Sequence, residues 1–337
     1  MRVQELRGFG LDQIFLAEKA DPAVGPGQVL VRMRACSLNY RDLLMAEGRY
    51  YPELPFPMVP VSDGAGEVIE VGQGASSFQP GDRVIALPVR SWSGGRPERN
   101  VLRDTLGGPL DGTLQEYMTF EESHLVPAPA HMDFTEASTL PIAALTAWSA
   151  LVTHGNLRAG ESVLTLGTGG VSIFALQIGK MFGARVFITS KDDEKLIAAR
   201  RLGADETINY RTMPDWDAEA FRRNGRRGMD HIIEVGGAGT LRQSLRAIAP
   251  GGVISLIGVL SGSNEKLNLL PVLMNNVRVQ GIFAGHGEAL KEMCRAFEVN
   301  EIRPVIDRIF PFEQTREAFE YLKSAEHVGK VVIRLDS

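Results

Sequence analysis

The chain has 337 residues, enough for two domains with substantial cores, and its apolar and charged fractions of 44% and 23% are those of an ordinary globular protein. A net charge of −5 removes any general electrostatic reason to expect nucleic acid or an anionic membrane as partner. Cys36 and Cys294 are the only cysteines, which excludes a disulfide framework and a cysteine-rich zinc site, and no apolar run reaches membrane-spanning length. The opening MRVQELRGFG lacks the apolar core of a secretory signal, so a cytoplasmic protein is expected.

Taken in order, residues 1–125 read as β-rich. GQVLVRMRA (27–35) alternates apolar with polar or basic residues, the pattern of a half-buried strand. GAGEVIEVG (64–72) and DRVIAL (82–87) repeat it, with turn chemistry in QPGD between them, and TLQEYMTF (113–120) predicts a further strand. Residues 51–60 carry four prolines, which suits a rigid irregular loop, and the polar, glycine-rich stretch 90–112 reads as a long surface loop. Several short strands with turn signals predict a small barrel or sandwich.

The texture changes near Pro127. Residues 134–154 place Leu140, Ala144, Trp148 and Leu151 at helical spacing, and strands then alternate with helices. The strands are expected at 163–166, 185–190, 206–210, 231–236, 252–258 and 277–283, which predicts a doubly wound parallel sheet over residues 126–300. The closing segment 301–337 ends in GKVVIRL, a strand that this sheet does not need, so it is expected to return to the first domain.

Within this sheet, VLTLGTGGVSIFALQIGK (163–180) is a strand, a glycine turn and a helix. Such a crossover aims backbone N–H groups of a helix N-terminus at an anion, and Gly167, Thr168, Gly169, Gly170 and Val171 would let a pyrophosphate approach. Ser172 stands where the third glycine of the dinucleotide fingerprint usually falls, so the strand–helix–strand context carries the assignment. The alternative is a glycine-rich turn in another kind of α/β protein. An NAD site wants an acidic residue about 20 residues past the turn. Ser190 and Lys191 stand there instead, and a hydroxyl with an ammonium would attract a 2′-phosphate. Asp192 and Asp193 follow, at the expected first turn of the next helix. NADPH is therefore the expected cofactor.

Several further stretches resemble one family: SLNYRDLL (37–44), SDGAGEVIEVG, PGDRV, LPIAALTAW, LGAD-x-x-INY and the closing GKVVI. Together they are similar to the medium-chain dehydrogenase/reductase superfamily, in its zinc-free, quinone oxidoreductase-like branch. The resemblance implies an α/β protein with a GroES-like β-barrel domain interrupted by a Rossmann domain. In the zinc-dependent members, zinc ligands occupy positions that correspond here to Asn39, Ser62 and Ile142, none of them a suitable donor; no metal is expected. The resemblance also places Tyr210 beside the adenosine phosphate, Lys330 near the cofactor phosphates, and Thr146, Gly258, Val259 and Phe283 along the nicotinamide. For Val259 and Phe283, packing at strand ends is an equal alternative. Asn39 and Tyr50 match residues where substrate meets the nicotinamide, and Asp42 is expected to anchor the Asn39 loop.

The expected activity is transfer of a hydride from NADPH to a quinone or to the β-carbon of an α,β-unsaturated carbonyl. An enoyl-thioester reductase and a non-catalytic NADPH-binding protein are the alternatives. Expected partners are a small-molecule substrate and a second copy of the chain, through the strand at 277–285 near one sheet edge.

Overall fold

A computed structural model describes residues 1–99 and 101–335. The chain divides into two compact units, Met1–Leu145 with Gly285–Ser337, and Thr146–Ala284.

The first unit opens with β1 (Arg2–Leu6), β2 (Ile14–Glu18), β3 (Gln28–Leu38) and α1 (Tyr40–Ala46), then β4 (Asp63–Val71), β5 (Arg83–Ala86), β6 (Tyr117–Glu121), β7 (Leu125–Pro127) and α2 (Phe134–Ala137). In β3 the alternation read from the sequence holds: Val29, Val31, Met33 and Ala35 are buried, whereas Arg32 is exposed. The stretch at 90–112 is not a purely surface loop. Trp92 and Leu106 are buried, and Val89 bridges to Thr105.

A helical stretch follows, with π turns at Leu140–Ala144 and Ser149–Thr153 on either side of α3 (Leu145–Trp148). The second unit then runs β8 (Ser162–Leu166), α4 (Gly170–Met181), β9 (Arg185–Ser190), α5 (Asp193–Arg201), β10 (Glu206–Asn209), α6 (Trp216–Arg223), β11 (Met229–Glu234), α7 (Leu241–Ala247), β12 (Ile248–Leu256), α8 (Leu270–Met274) and β13 (Arg278–Gly281). All its strand pairs are parallel, in the order β10-β9-β8-β11-β12-β13. This is the strand order of dinucleotide-binding sheets, whose order reverses between β8 and β11; ligands of such sheets lie beyond the C-terminal ends of the strands. Every residue of β8 is buried, as a central parallel strand requires. Leu164, Phe187, Ile208, Ile232 and Ile254 fill the core of this unit.

The chain returns to the first unit through α9 (Gly287–Val299), β14 (Ile306–Pro311), α10 (Thr315–Ser324) and β15 (Lys330–Arg334). Its main sheet has the order β14-β15-β3-β4-β5-β7, with β6 also paired to β3, while β1 and β2 form a separate antiparallel pair. The GKVVI strand thus pairs antiparallel with β3, Val331 opposite Leu38. The fold is α/β, a GroES-like unit and a Rossmann-like unit. Its divisions differ from those expected after residues 125 and 300. The helix α2 packs on β3, β4 and β15, and α9 packs on β7, so both belong with the antiparallel sheet.

The close approach of α4 to its sheet depends on a glycine outside the turn. A Cβ on Gly179 would meet Val186 Cγ2 of β9 at 2.8 Å, and a β-branched valine has little freedom to yield. Gly179→Val is expected to lower stability by about 2 kcal/mol or more through overpacking, despite leaving a better helix former than glycine. Guanidinium unfolding at equilibrium checks this, and an unchanged or higher midpoint would contradict it.

Candidate active site

The expected site residues fall into two groups, one in each unit. In the Rossmann-like unit, Gly167, Thr168 and Gly169 connect the C-terminal end of β8 to α4, which begins at Gly170. Gly167 has φ +76°, and a Cβ added to Gly167 or Gly169 would meet nothing within 4 Å. The turn is therefore an open cradle, and no side chain caps the N-terminus of α4. Its first-turn N–H groups are left for an external acceptor, the arrangement that suits a pyrophosphate. Ser172, at the third fingerprint position, is buried and donates from Oγ to Leu166 O at 2.8 Å, which ties the helix to the end of β8.

The next two strands end side by side, Asn209 of β10 opposite Ser190 of β9. This brings Ser190 and Lys191 next to Tyr210 and Arg211 at one edge. Ser190 is buried, while Lys191, Tyr210 and Arg211 are exposed. The two carboxylates that could repel a phosphate are engaged elsewhere. Asp192 caps α5, its Oδ1 accepting from Glu194 N and Lys195 N, and Asp193 Oδ1 accepts from Asn209 Nδ2 at 2.7 Å. Thr146 is buried in α3, Gly258 and Val259 follow β12, and Phe283 follows β13, half-buried. Gly258 runs so close to Val235 that a Cβ would sit 2.5 Å from its carbonyl oxygen, so packing alone requires glycine there. Val259 lines an open hollow of about 100 Å³ with Gly237, Ala238 and Gly262.

In the GroES-like unit, Asn39 lies between the end of β3 and the start of α1 and is 8% exposed. Its backbone N donates to Asp42 Oδ2 at 2.8 Å, and Asp42 Oδ1 accepts from Ser62 N and Ser62 Oγ, so Asp42 anchors this corner as its placement suggested. The Asn39 side chain is held at both ends. Lys330 Nζ donates to its Oδ1 at 2.6 Å and to Leu38 O at 2.8 Å, and its Nδ2 donates to Asp63 Oδ2 at 2.8 Å. Ser37 Oγ donates to the same carboxylate oxygen. Hydrogen bonds to charged groups contribute about 1.5–3 kcal/mol each, so turning the amide over would forfeit two strong contacts at once.

Lys330 is 2% exposed and Nζ lies 3.5 Å from Asp63 Oδ2. Burial pulls its ammonium below the ordinary lysine range, with Asp63 and Asp42 pulling it back. Burial likewise pushes the Asp63 carboxyl up to about 6, against the pull of Lys330. Asp63 Oδ1 is buried without a hydrogen-bond partner among the described residues. This differs from the phosphate contact that the resemblance implied for Lys330, because its ammonium is enclosed beneath Asn39. Sequence reading named SDGAGEV as a motif without drawing a role for Asp63; only the register of β3, β4 and β15 brings it to Asn39 and Lys330. Tyr50 is exposed, and its ring lies 5.6 Å from the guanidinium carbon of Arg41, which also donates to Ser62 Oγ, Thr105 Oγ1, Leu106 O and Gly108 O. Arg41 thereby fixes the loop at 105–108 and the ring of Tyr50 together, a role that the sequence reading did not assign.

Ser62 is spent on Asp42 and Arg41, and among the described residues no group of three or more His, Cys, Asp and Glu is placed to hold a metal ion. No helix among them is long and apolar enough to cross a membrane.

Comparison with known proteins agrees with this architecture. Residues 25–130 match the family model of the alcohol dehydrogenase GroES-like domain, and residues 170–298 that of zinc-binding dehydrogenases. A zinc-type alcohol dehydrogenase-like protein of Schizosaccharomyces pombe is 42% identical, covering 98% of this chain and 97% of its own. The chloroplastic NADPH-dependent alkenal/one oxidoreductase of Arabidopsis thaliana is 30% identical over 93% of this chain and 73% of its own. The solved structure of an NAD-dependent alcohol dehydrogenase is 35% identical, covers 100% of both chains and superposes with a TM-score of 0.91. An oxidoreductase fold with a dinucleotide cradle, and relatives matched along nearly the whole chain, lead to one conclusion: this protein belongs to the medium-chain dehydrogenase/reductase superfamily.

Proposed function

We propose that the protein is a zinc-independent, NADPH-dependent reductase of quinones or α,β-unsaturated carbonyls. The observation that carries this reading is the oriented Asn39 amide; the resemblance matches Asn39, Ser62 and Ile142 to the zinc-ligand positions of the zinc-dependent members, and none of the three is a suitable zinc donor. An amide N–H can stabilise an oxyanion without a Lewis acid. NADPH, when bound, supplies the hydride. The open turn Gly167–Gly170 and the first-turn N–H groups of α4, from Gly170 and Val171 onward, hold its pyrophosphate. Ser190, Lys191 and Tyr210 hold the 2′-phosphate, and Thr146, Gly258, Val259 and Phe283 line the nicotinamide. Asn39 donates to the substrate carbonyl, and Tyr50 bounds the substrate. The activity named for the Arabidopsis relative supports the enone and NADPH parts of the reading, and the two buried free thiols fit a cytoplasmic, reducing location.

The reading includes a homodimer. The strand β13 is one of the two edges of the parallel sheet, with Val279 40% exposed, and beside it in the chain Leu269, Leu270, Leu273 and Met274 are 60–73% exposed. Such an apolar edge suits pairing with its counterpart about a two-fold axis. Light scattering at micromolar concentration is expected to give twice the chain mass of 36.8 kDa, and a monomer mass would count against it.

The cofactor assignment predicts discrimination of about one to two orders of magnitude in affinity for NADPH over NADH, from one charge-assisted phosphate contact. Lys191→Ala is expected to remove most of it while leaving NADH binding nearly unchanged. Both cofactors are titrated against wild type and variant, and NADPH oxidation is screened over quinones, enals and enones after dialysis against chelator. An unchanged affinity ratio in the variant would reassign the phosphate to another base, such as Arg211. Absence of turnover with every acceptor, or its loss in chelator, would overturn the zinc-independent reductase.

A further inference from the structure

Asn39, Asp63 and Lys330 come from three elements that the main sheet of the GroES-like unit brings together: the end of β3, the first residue of β4 and the first residue of β15. A carboxamide is nearly symmetric in shape, so its oxygen and nitrogen can exchange places unless the surroundings forbid it. Here they do. An ammonium can only donate and a carboxylate can only accept. The Asn39 oxygen must therefore face Lys330 Nζ, at 2.6 Å, and its nitrogen must face Asp63 Oδ2, at 2.8 Å. The backbone at the same residue is fixed independently by Asp42, and one hydrogen of Nδ2 is used by Asp63. The second Nδ2 hydrogen has no acceptor among the described residues.

We propose that Lys330 and Asp63 are positioning residues that lock the Asn39 amide in one orientation, so that its second N–H is reserved for the oxygen of the substrate carbonyl. The proposal rests on the reductase reading above and adds a role that neither the glycine cradle nor the 2′-phosphate edge supplies. In that reaction a hydride, with its electron pair, forms a new C–H bond at the β-carbon, and the nicotinamide is oxidised. The C=C π pair moves to the α-carbon and carbonyl, leaving an enolate whose charge rests on oxygen, and water supplies the proton that completes the α-carbon. An N–H fixed toward that oxygen stabilises the enolate more than the neutral carbonyl, and this difference raises the rate. A flipped amide would present a lone pair to the enolate and oppose it. Burying an ammonium and a carboxylate gives little certain return in stability; the return here is orientation.

A kinetic cycle tests this. Reduction of an enone by NADPH is followed for wild type, Lys330→Met, Asn39→Ala and the double variant, with the near-isosteric Asp63→Asn replacing Lys330→Met throughout should the latter fail to fold. Lys330→Met is expected to lower kcat by about tenfold to a hundredfold, while the NADPH dissociation constant from fluorescence titration stays within about twofold. In the Asn39→Ala background the same change should cost less than about threefold, because it acts through Asn39. A kcat for Lys330→Met close to wild type, or an equal loss with and without Asn39, overturns the proposal. A second readout does not depend on turnover. In protein labelled with 15N-asparagine, the Asn39 side-chain amide protons should exchange with solvent at least about tenfold faster in Lys330→Met than in wild type. Unchanged exchange overturns the positioning claim, whereas an inactive wild type with accelerated exchange in the variant overturns the reductase reading and leaves the positioning intact.

Discussion

The contact between Lys330 and Asn39 is the constraint on which the GroES-like unit turns. It joins residues 291 apart in sequence, and it exists only because β15 lies between β14 and β3 rather than continuing the parallel sheet. A buried ammonium needs partners. Leu38 O, Asn39 Oδ1 and Asp63 provide them, and in doing so they fix the Asn39 and Asp63 side chains at the end of β3 and the start of β4. Asp42 and Arg41 extend the arrangement outward, to Ser62, to the loop at 105–108 and to Tyr50. The corner around Asn39 is thus held together by charge-assisted hydrogen bonds.

The Rossmann-like unit follows a different physical logic. The groups it offers at the strand ends are backbone amides and an edge of exposed side chains, positioned by a largely apolar sheet in which the buried Glu234 carboxylate is satisfied by Gly236 N, Gly237 N, Thr240 Oγ1 and Ser244 Oγ. The glycine turn is open: Gly167 adopts a positive φ, and a Cβ on Gly167 or Gly169 would meet no atom of the described residues within 4 Å. At the edge proposed for the 2′-phosphate, Asp192 is occupied by the helix cap and Asp193 by Asn209, while Lys191 and Arg211 are exposed beside Ser190 and Tyr210.

Much of this was legible in the sequence, and for identifiable reasons. Strand β8, its glycine turn and α4 were readable because a buried apolar run, a cluster of glycines and a 3.6-residue period follow one another without ambiguity. The return of GKVVI was readable by elimination, since the parallel sheet already had its strands. Other features were hidden. The π turns around α3 leave no periodic signature distinct from an α-helix. The boundary at residue 145 depends on what α2 packs against, which is a tertiary fact. Lys330 shows the limit most clearly: a lysine opening a strand can serve a phosphate or a buried amide equally well, and only the register of Val331 against Leu38 decides between them. Asp63 was hidden for the same reason, since a carboxylate beside three small residues looks like turn chemistry until its strand is paired.

The central claim is that an amide N–H, with no metal, directs hydride to the β-carbon of a conjugated carbonyl. The most direct measurement follows the label: an enone is reduced with NADPH carrying deuterium at the transferable C4 position of the nicotinamide, and the product is read by mass spectrometry and NMR. The account predicts a saturated ketone with deuterium at the β-carbon and the carbonyl intact. Deuterium at the carbonyl carbon of an allylic alcohol would mean that the protein polarises and reduces the C=O bond itself, and would contradict it.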